Sequence, residues 1–120
     1  MFDHIGVNVS DVKKSTEFYT KALKPLGYSL LKDFGTWIGF GEGDKARLWI
    51  VARDPASTGA HLALAAPDRK AVDAFYAAAM SAGGKDNGKP GVRSDYSPTY
   101  YAAFVFDPDG NNIEAVTHKG

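Results

Sequence analysis

The sequence contains no cysteine in its 120 residues. That absence excludes a disulfide framework, a thiolate metal ligand and a cysteine nucleophile, so any metal would have to be held by nitrogen and oxygen. Charge of either sign is also not in excess. The 14 basic side chains are matched by 14 acidic ones, which leaves no global field to draw in nucleic acid or an anionic membrane. No apolar run approaches the length of a membrane span. The opening residues Met1-Phe2-Asp3-His4-Ile5-Gly6 lack a basic segment leading into an apolar stretch, and a cytoplasmic location is expected. What remains is 44% hydrophobic and 23% charged, the usage of a chain that folds. A single domain over 1–120 is the expectation at this length.

The chain matches itself at an ungapped offset of 57 residues. His4 falls on His61, Asp11 on Asp68, Lys13 on Lys70, Phe18 on Phe75, Tyr19 on Tyr76, Ala22 on Ala79 and Gly27 on Gly84. Identities that run from a strand pattern into a helix pattern and on to a closing glycine indicate a duplicated module. Module one is read as 1–53 and module two as 60–118, joined by a connector rich in Pro, Ser, Thr and Gly.

Each module opens on alternation: Ile5, Val7 and Val9 in the first, Leu62 and Leu64 in the second, the period of a half-buried strand. A helix follows in each. Ser10 or Asp11 caps the first, with Val12, Ser15, Tyr19, Ala22, Leu23 and Leu26 on one stripe and Pro25 and Gly27 at its end. Asp68 opens the second, where Val72, Phe75, Tyr76, Ala79 and Met80 keep helical spacing up to Gly83-Gly84. Strands are predicted at 28–34, 37–41 and 47–52, then at 86–91, 100–106 and 112–117, the last pair joined through Asp107-Pro108-Asp109-Gly110. The fold class is therefore α+β, two tandem βαβββ modules forming a curved mixed sheet around a cleft.

Alternation also orients the polar residues. If Ile5, Val7 and Val9 cover the helix, His4, Gly6 and Asn8 face the other side, as do His61, Ala63 and Ala65 in the repeat. On the last strand Asn112, Glu114 and Val116 share a face, and a lone buried carboxylate needs a partner. His4, His61 and Glu114 converging on one cleft make an N/N/O set suited to Fe(II), Mn(II), Ni(II) or Zn(II) with open positions for substrate oxygens. Tyr96, Tyr100, Tyr101 and Arg93 lie near the penultimate strand. Tyr100 and Tyr101 are candidates to act on substrate oxygens beside Glu114. Trp37, Trp49 and Arg93 are candidates to bind substrate, the tryptophans as an apolar wall and Arg93 within a basic stretch, 85–93, that closes over an anion. His118 is read as a solvated tail residue.

Three segments, Asp3-His4-Ile5-Gly6-Val7-Asn8-Val9-Ser10-Asp11, Ser15-Thr16-Glu17-Phe18-Tyr19 and Phe106-Asp107-Pro108-Asp109-Gly110-Asn111-Asn112-Ile113-Glu114, resemble the glyoxalase, bleomycin-resistance and extradiol-dioxygenase (vicinal-oxygen-chelate) superfamily, and the resemblance covers essentially the whole chain. It implies metal ligands at His4, His61 and Glu114 and strand sets that assemble across a homodimer. Glyoxalase I, in the same superfamily, takes a fourth ligand from the last strand of the first module, where this chain has Arg47-Leu48-Trp49-Ile50-Val51 and no carboxylate. The function expected first is a metal-dependent enzyme that chelates vicinal oxygens of a small substrate, with lyase or group-transfer chemistry. The alternative is a non-catalytic protein that sequesters a small molecule, as bleomycin-resistance relatives do. An extradiol dioxygenase stands third.

Overall fold

The structure is a computed structural model that describes residues 1–120. Module one runs β1 (Ile5–Val9), α1 (Val12–Leu23), a 3-10 turn (Lys24–Leu26), β2 (Ser29–Asp33), β3 (Trp37–Glu42) and β4 (Lys45–Ala52). Module two repeats the order with β5 (His61–Ala65), α2 (Arg69–Ser81), β6 (Lys85–Val92), β7 (Tyr101–Phe106) and β8 (Asn112–Thr117). The strands form two mixed four-stranded sheets, ordered β1-β4-β3-β2 and β5-β8-β7-β6. In each the first strand runs parallel to the last and the other neighbours are antiparallel.

Local chemistry starts and stops the helices. The side chain of Asp11 accepts from the backbone N–H of Lys14, and Asp68 accepts from that of Ala71, so one orphan donor in each first turn is satisfied. Gly27 closes the first helical segment at φ 90°, a left-handed conformation that glycine adopts without a Cβ penalty. The expected stripe on α1 is largely buried at Ser15, Tyr19, Ala22 and Leu23, joined by Phe18. On α2 the buried residues are Ala71, Val72, Phe75 and Ala79, whereas Tyr76 and Met80 are only half-buried.

α1 and α2 pack against each other, and α2 also covers β7. A single hydrophobic cluster joins Val7, Phe18, Phe40 and Ile50 of module one to Leu62, Phe75, Val105 and Ile113 of module two. Polar contacts add to this junction. Tyr19 Oη donates to Asp107 at 2.5 Å, and Ser10 donates to Asp109 from both its backbone N and its Oγ. Asn111, fully buried, donates through Nδ2 to the carbonyl of Ser57 at 2.7 Å and accepts through Oδ1 from the N–H of Ala60 at 3.0 Å, tying the connector to the loop before β8. The helices thus occupy one side of each sheet. The opposite faces carry His61 and Glu114 in the second sheet and Trp37 and Trp49 in the first.

Candidate functional site

In the second sheet β5 sets Ala63 beside Glu114, and β7 sets Phe104 across from it. Glu114 is 1% exposed, so its carboxylate requires partners inside the protein. It has two. His61 Nε2 donates to Oε1 at 2.8 Å, and the Tyr100 hydroxyl donates to Oε2. Burial, together with the hydrogen bond to Glu114, pushes the Tyr100 phenol up to about 12, so it holds its proton at neutral pH. The Tyr100 ring is packed edgewise by Tyr96 and by His118, so the exposed His118 is in contact with the site rather than free of it. His61 lies 6.3 Å, centroid to centroid, from Phe104. The guanidinium of Arg93 sits 5.2 Å over the other part of this surface, the Phe104 ring.

Arg93 is not on a mobile flap. Residues 85–92 form the bulged outer strand β6, and Arg93 itself donates to the carbonyls of Gly91 and Lys89 at 3.0 and 2.7 Å. The expected closing stretch is therefore a fixed sheet edge. Tyr101 is not brought to the site either. Strand parity turns it away from Phe104 and Glu114 toward α2, where its hydroxyl donates to Asp73 at 2.6 Å and Arg69 lies 4.9 Å over its ring.

His4 stands apart. Its Nδ1 donates to Asp3 at 2.8 Å, its side chain is 58% exposed, and no group of three His, Cys, Asp or Glu side chains able to hold a metal forms within the chain. Lys45 also bonds Asp3 at 2.8 Å, and the hydrogen bonds from Lys45 and His4, with the charge of Lys45, hold that carboxyl down at about 2. Two of the three expected ligands thus meet in one chain, and the third lies on the other sheet.

That other sheet is built differently. β1 sets Gly6 beside Trp49, just as β5 sets Ala63 beside Glu114, and Gly6 and Ala63 are equivalent in the repeat. Trp49 therefore occupies in module one the place that Glu114 holds in module two. Opposite it lies Gly39, where a Cβ would come within 2.9 Å of the indole. Trp37 meets Trp49 edge-on with centroids 6.5 Å apart, and Phe34 lies parallel to it at 6.2 Å. The groove over this face has a volume of about 530 Å³ and is also lined by Lys32, Lys45 and Arg53.

A family model described as the Glyoxalase/Bleomycin resistance protein/Dioxygenase superfamily matches residues 1–115. The chain belongs to this superfamily. A glyoxalase/bleomycin resistance protein from Albidiferax ferrireducens T118 is 31% identical and superposes with a TM-score of 0.87, covering 97% of this chain and 98% of that one. Glyoxalase I from Zea mays is 22% identical with a TM-score of 0.71, over 96% of this chain and 43% of the maize chain. A glyoxalase/bleomycin resistance protein/dioxygenase family enzyme from Burkholderia phytofirmans PsJN is 16% identical with a TM-score of 0.72, and coverage is 95% of both chains. Among curated proteins none matches. At these identities the maize and Burkholderia structures speak for the fold.

Five side chains that contribute to the two faces are not among the residues singled out from the sequence: Phe34, Lys32, Lys45, Arg53 and Phe104. Phe104 had a readable signal, since it shares the parity of Ala102 and Phe106 on β7 and so the face of Glu114. Lys32, Lys45 and Arg53 had none, because isolated exposed cations look alike in a sequence. No helix is long and apolar enough to cross a membrane.

Proposed function

We propose that the protein is a metal-dependent member of the superfamily working as a homodimer, in which His61 and Glu114 of one protomer and His4 of the other hold a divalent cation. The observation that carries the reading is the buried Glu114 carboxylate paired with the His61 imidazole at 2.8 Å, an N/O donor pair suited to Fe(II), Mn(II), Ni(II) or Zn(II). The fit within one chain is partial, two donors of three. A second copy supplies the third reciprocally, since a two-fold axis that brings His4 to the partner's sheet brings the partner's His4 back. The exposed apolar side chains Ile5 and Tyr96 favour a covered surface.

A cation bound there would polarise vicinal oxygens of a small substrate and stabilise developing negative charge. The chain's own residues have separate tasks. Tyr100 fixes one oxygen of Glu114 and keeps its proton available for a hydrogen bond. Phe104 offers an apolar floor beside Glu114, and Arg93 offers a fixed positive charge above that floor. Lyase or group-transfer chemistry is the activity these parts serve.

The test is calorimetric titration of Mn(II), Fe(II), Ni(II) and Zn(II) into protein stripped with chelator, with sedimentation equilibrium alongside. About one tight site per protomer is expected in a dimer. His61→Ala should abolish the site and His4→Ala should weaken it. Stoichiometric metal retained by His61→Ala, or a monomer at micromolar concentration, would refute the assignment.

One observation favours a second reading, a non-catalytic protein that sequesters a small molecule. Trp49 stands where Glu114 has its counterpart, and with Trp37 and Phe34 it makes an aromatic surface. Binding of an aromatic compound by a protein that takes up none of the four metals would favour it.

A further inference from the structure

We propose that the open face of the first sheet binds a planar aromatic carboxylate. The inference names a ligand class for the aromatic face and rests on the sequestering reading only in using that face for a small molecule; it requires no metal.

Shape supplies the first part of the argument. Gly39 leaves the Trp49 indole lying against the sheet, because any Cβ there would meet the ring at 2.9 Å. Trp37, 53% exposed, stands at 82° to that indole and forms a wall at right angles to a floor. Phe34 stacks parallel to the indole, its plane 8° from it and the centroids 6.2 Å apart, and so helps to hold the Trp49 ring in place from outside the groove lining. A corner made of flat rings takes a flat apolar body, which gains both burial and offset or edge contacts with the indoles.

Charge supplies the second part. The groove is lined by Lys32, Lys45 and Arg53 against a single acid, Asp3. Asp3 is already engaged by Lys45 and His4 at 2.8 Å each. The chain forms only three ion pairs, and neither Lys32 nor Arg53 takes part in any of them. Two unpaired cations therefore border an aromatic corner, in a protein whose net charge is zero. The surplus is local. A ligand with a ring for Trp49 and one carboxylate for Lys32 and Arg53 satisfies both features, and the charge-assisted hydrogen bonds fix its orientation. The groove volume of about 530 Å³ lies in the range of small-molecule sites.

Calorimetry on the metal-stripped full chain, in chelator, would compare 1-naphthoate with the neutral, similarly shaped 1-naphthalenemethanol. The expectation is that the wild type binds naphthoate about tenfold more tightly than the alcohol, the size of one charge-assisted contact, and that the preference shrinks in high salt. Trp49→Ala should weaken both ligands about tenfold or more. The double variant K32A/R53A changes only exposed side chains and keeps the test available if Trp49→Ala does not fold; it should bind the two ligands alike. Equal binding of acid and alcohol by the wild type overturns the carboxylate assignment and leaves an aromatic face in use. Binding of neither ligand overturns the assignment and the sequestering reading together. Both outcomes are independent of the metal titration, since chelator is present throughout.

Discussion

Removing one hydroxyl from the buried cluster, in Tyr100→Phe, tests how Glu114 is held. Glu114 is 1% exposed, and its Oε2 is bonded by the Tyr100 hydroxyl while Oε1 is bonded by His61. The substitution leaves the ring and its packing against Tyr96 and His118 in place and deletes only the donor. A hydrogen bond to a charged group contributes about 1.5–3 kcal/mol. For a chain of this size each kcal/mol moves the melting temperature by about 3–5 °C, between the values for smaller and larger domains, so a fall of about 5–15 °C is expected. Thermal and urea unfolding at one fixed protomer concentration would measure it, since a dimer's stability depends on concentration. A second arm separates hydrogen bonding from packing. In a Glu114→Leu background there is no carboxylate to lose, so Tyr100→Phe should then cost less than about 0.5 kcal/mol. A single-variant loss below about 0.5 kcal/mol, or an equal loss in both backgrounds, would refute the view that this hydroxyl stabilises a buried carboxylate.

The same bond predicts a pH window. The Tyr100 pKa is raised from 10.0 to about 12 in the folded state, so its contribution is fully present below the unfolded value and is lost as pH rises through the folded one; the stability gap between wild type and Tyr100→Phe should narrow between those two values, and a gap constant across that range would contradict it. Asn111→Ala should loosen the junction between the modules, because it leaves the Ser57 carbonyl and the Ala60 N–H without the partners they have at 2.7 and 3.0 Å. Each orphaned group costs about 1–3 kcal/mol, and a urea midpoint unchanged from wild type would show that water replaces Asn111.

What the sequence disclosed was governed by periodicity. The two helices and β8 are where spacing placed them, and of the two caps open for the first helix, Ser10 or Asp11, the structure uses Asp11. Parity also carried the partnership of His61 and Glu114, since both lie on the side of their strands away from the helix. The same rule separates Tyr100 from Tyr101: one step along the chain divides a residue that reaches Glu114 from one that reaches Asp73. The bulged edge at β6 was hard to read for a different reason. Asn87, Gly88, Pro90 and Gly91 have loop composition, and only the ladder to β7, interrupted by two register shifts, makes them a strand. His4 illustrates the limit of symmetry. The repeat makes it the equivalent of His61, yet equivalence in sequence does not place the two imidazoles together, since each belongs to its own sheet.

The repeat is most informative where it is broken. Two modules with one ancestral pattern would offer the same chemistry twice if both kept Glu at the position beside Gly6 and Ala63. Here one keeps the carboxylate, with Phe104 across from it, and the other has Trp49 with Gly39 across from it. The large indole sits where its neighbour across the ladder carries no side chain. With the indole where it is, a Cβ at 39 would come within 2.9 Å of its Cη2 and 3.0 Å of Ala46 Cβ. Gly39 and the present pose of the indole are therefore linked, since a side chain at 39 would require the ring to move. It follows that Gly39→Val, which fills the space under the ring without touching a charge, should displace the indole and weaken naphthoate and naphthalenemethanol alike. Retained binding of both ligands by that variant would show that Trp49 is not held against the sheet by Gly39, and the built corner would lose its support.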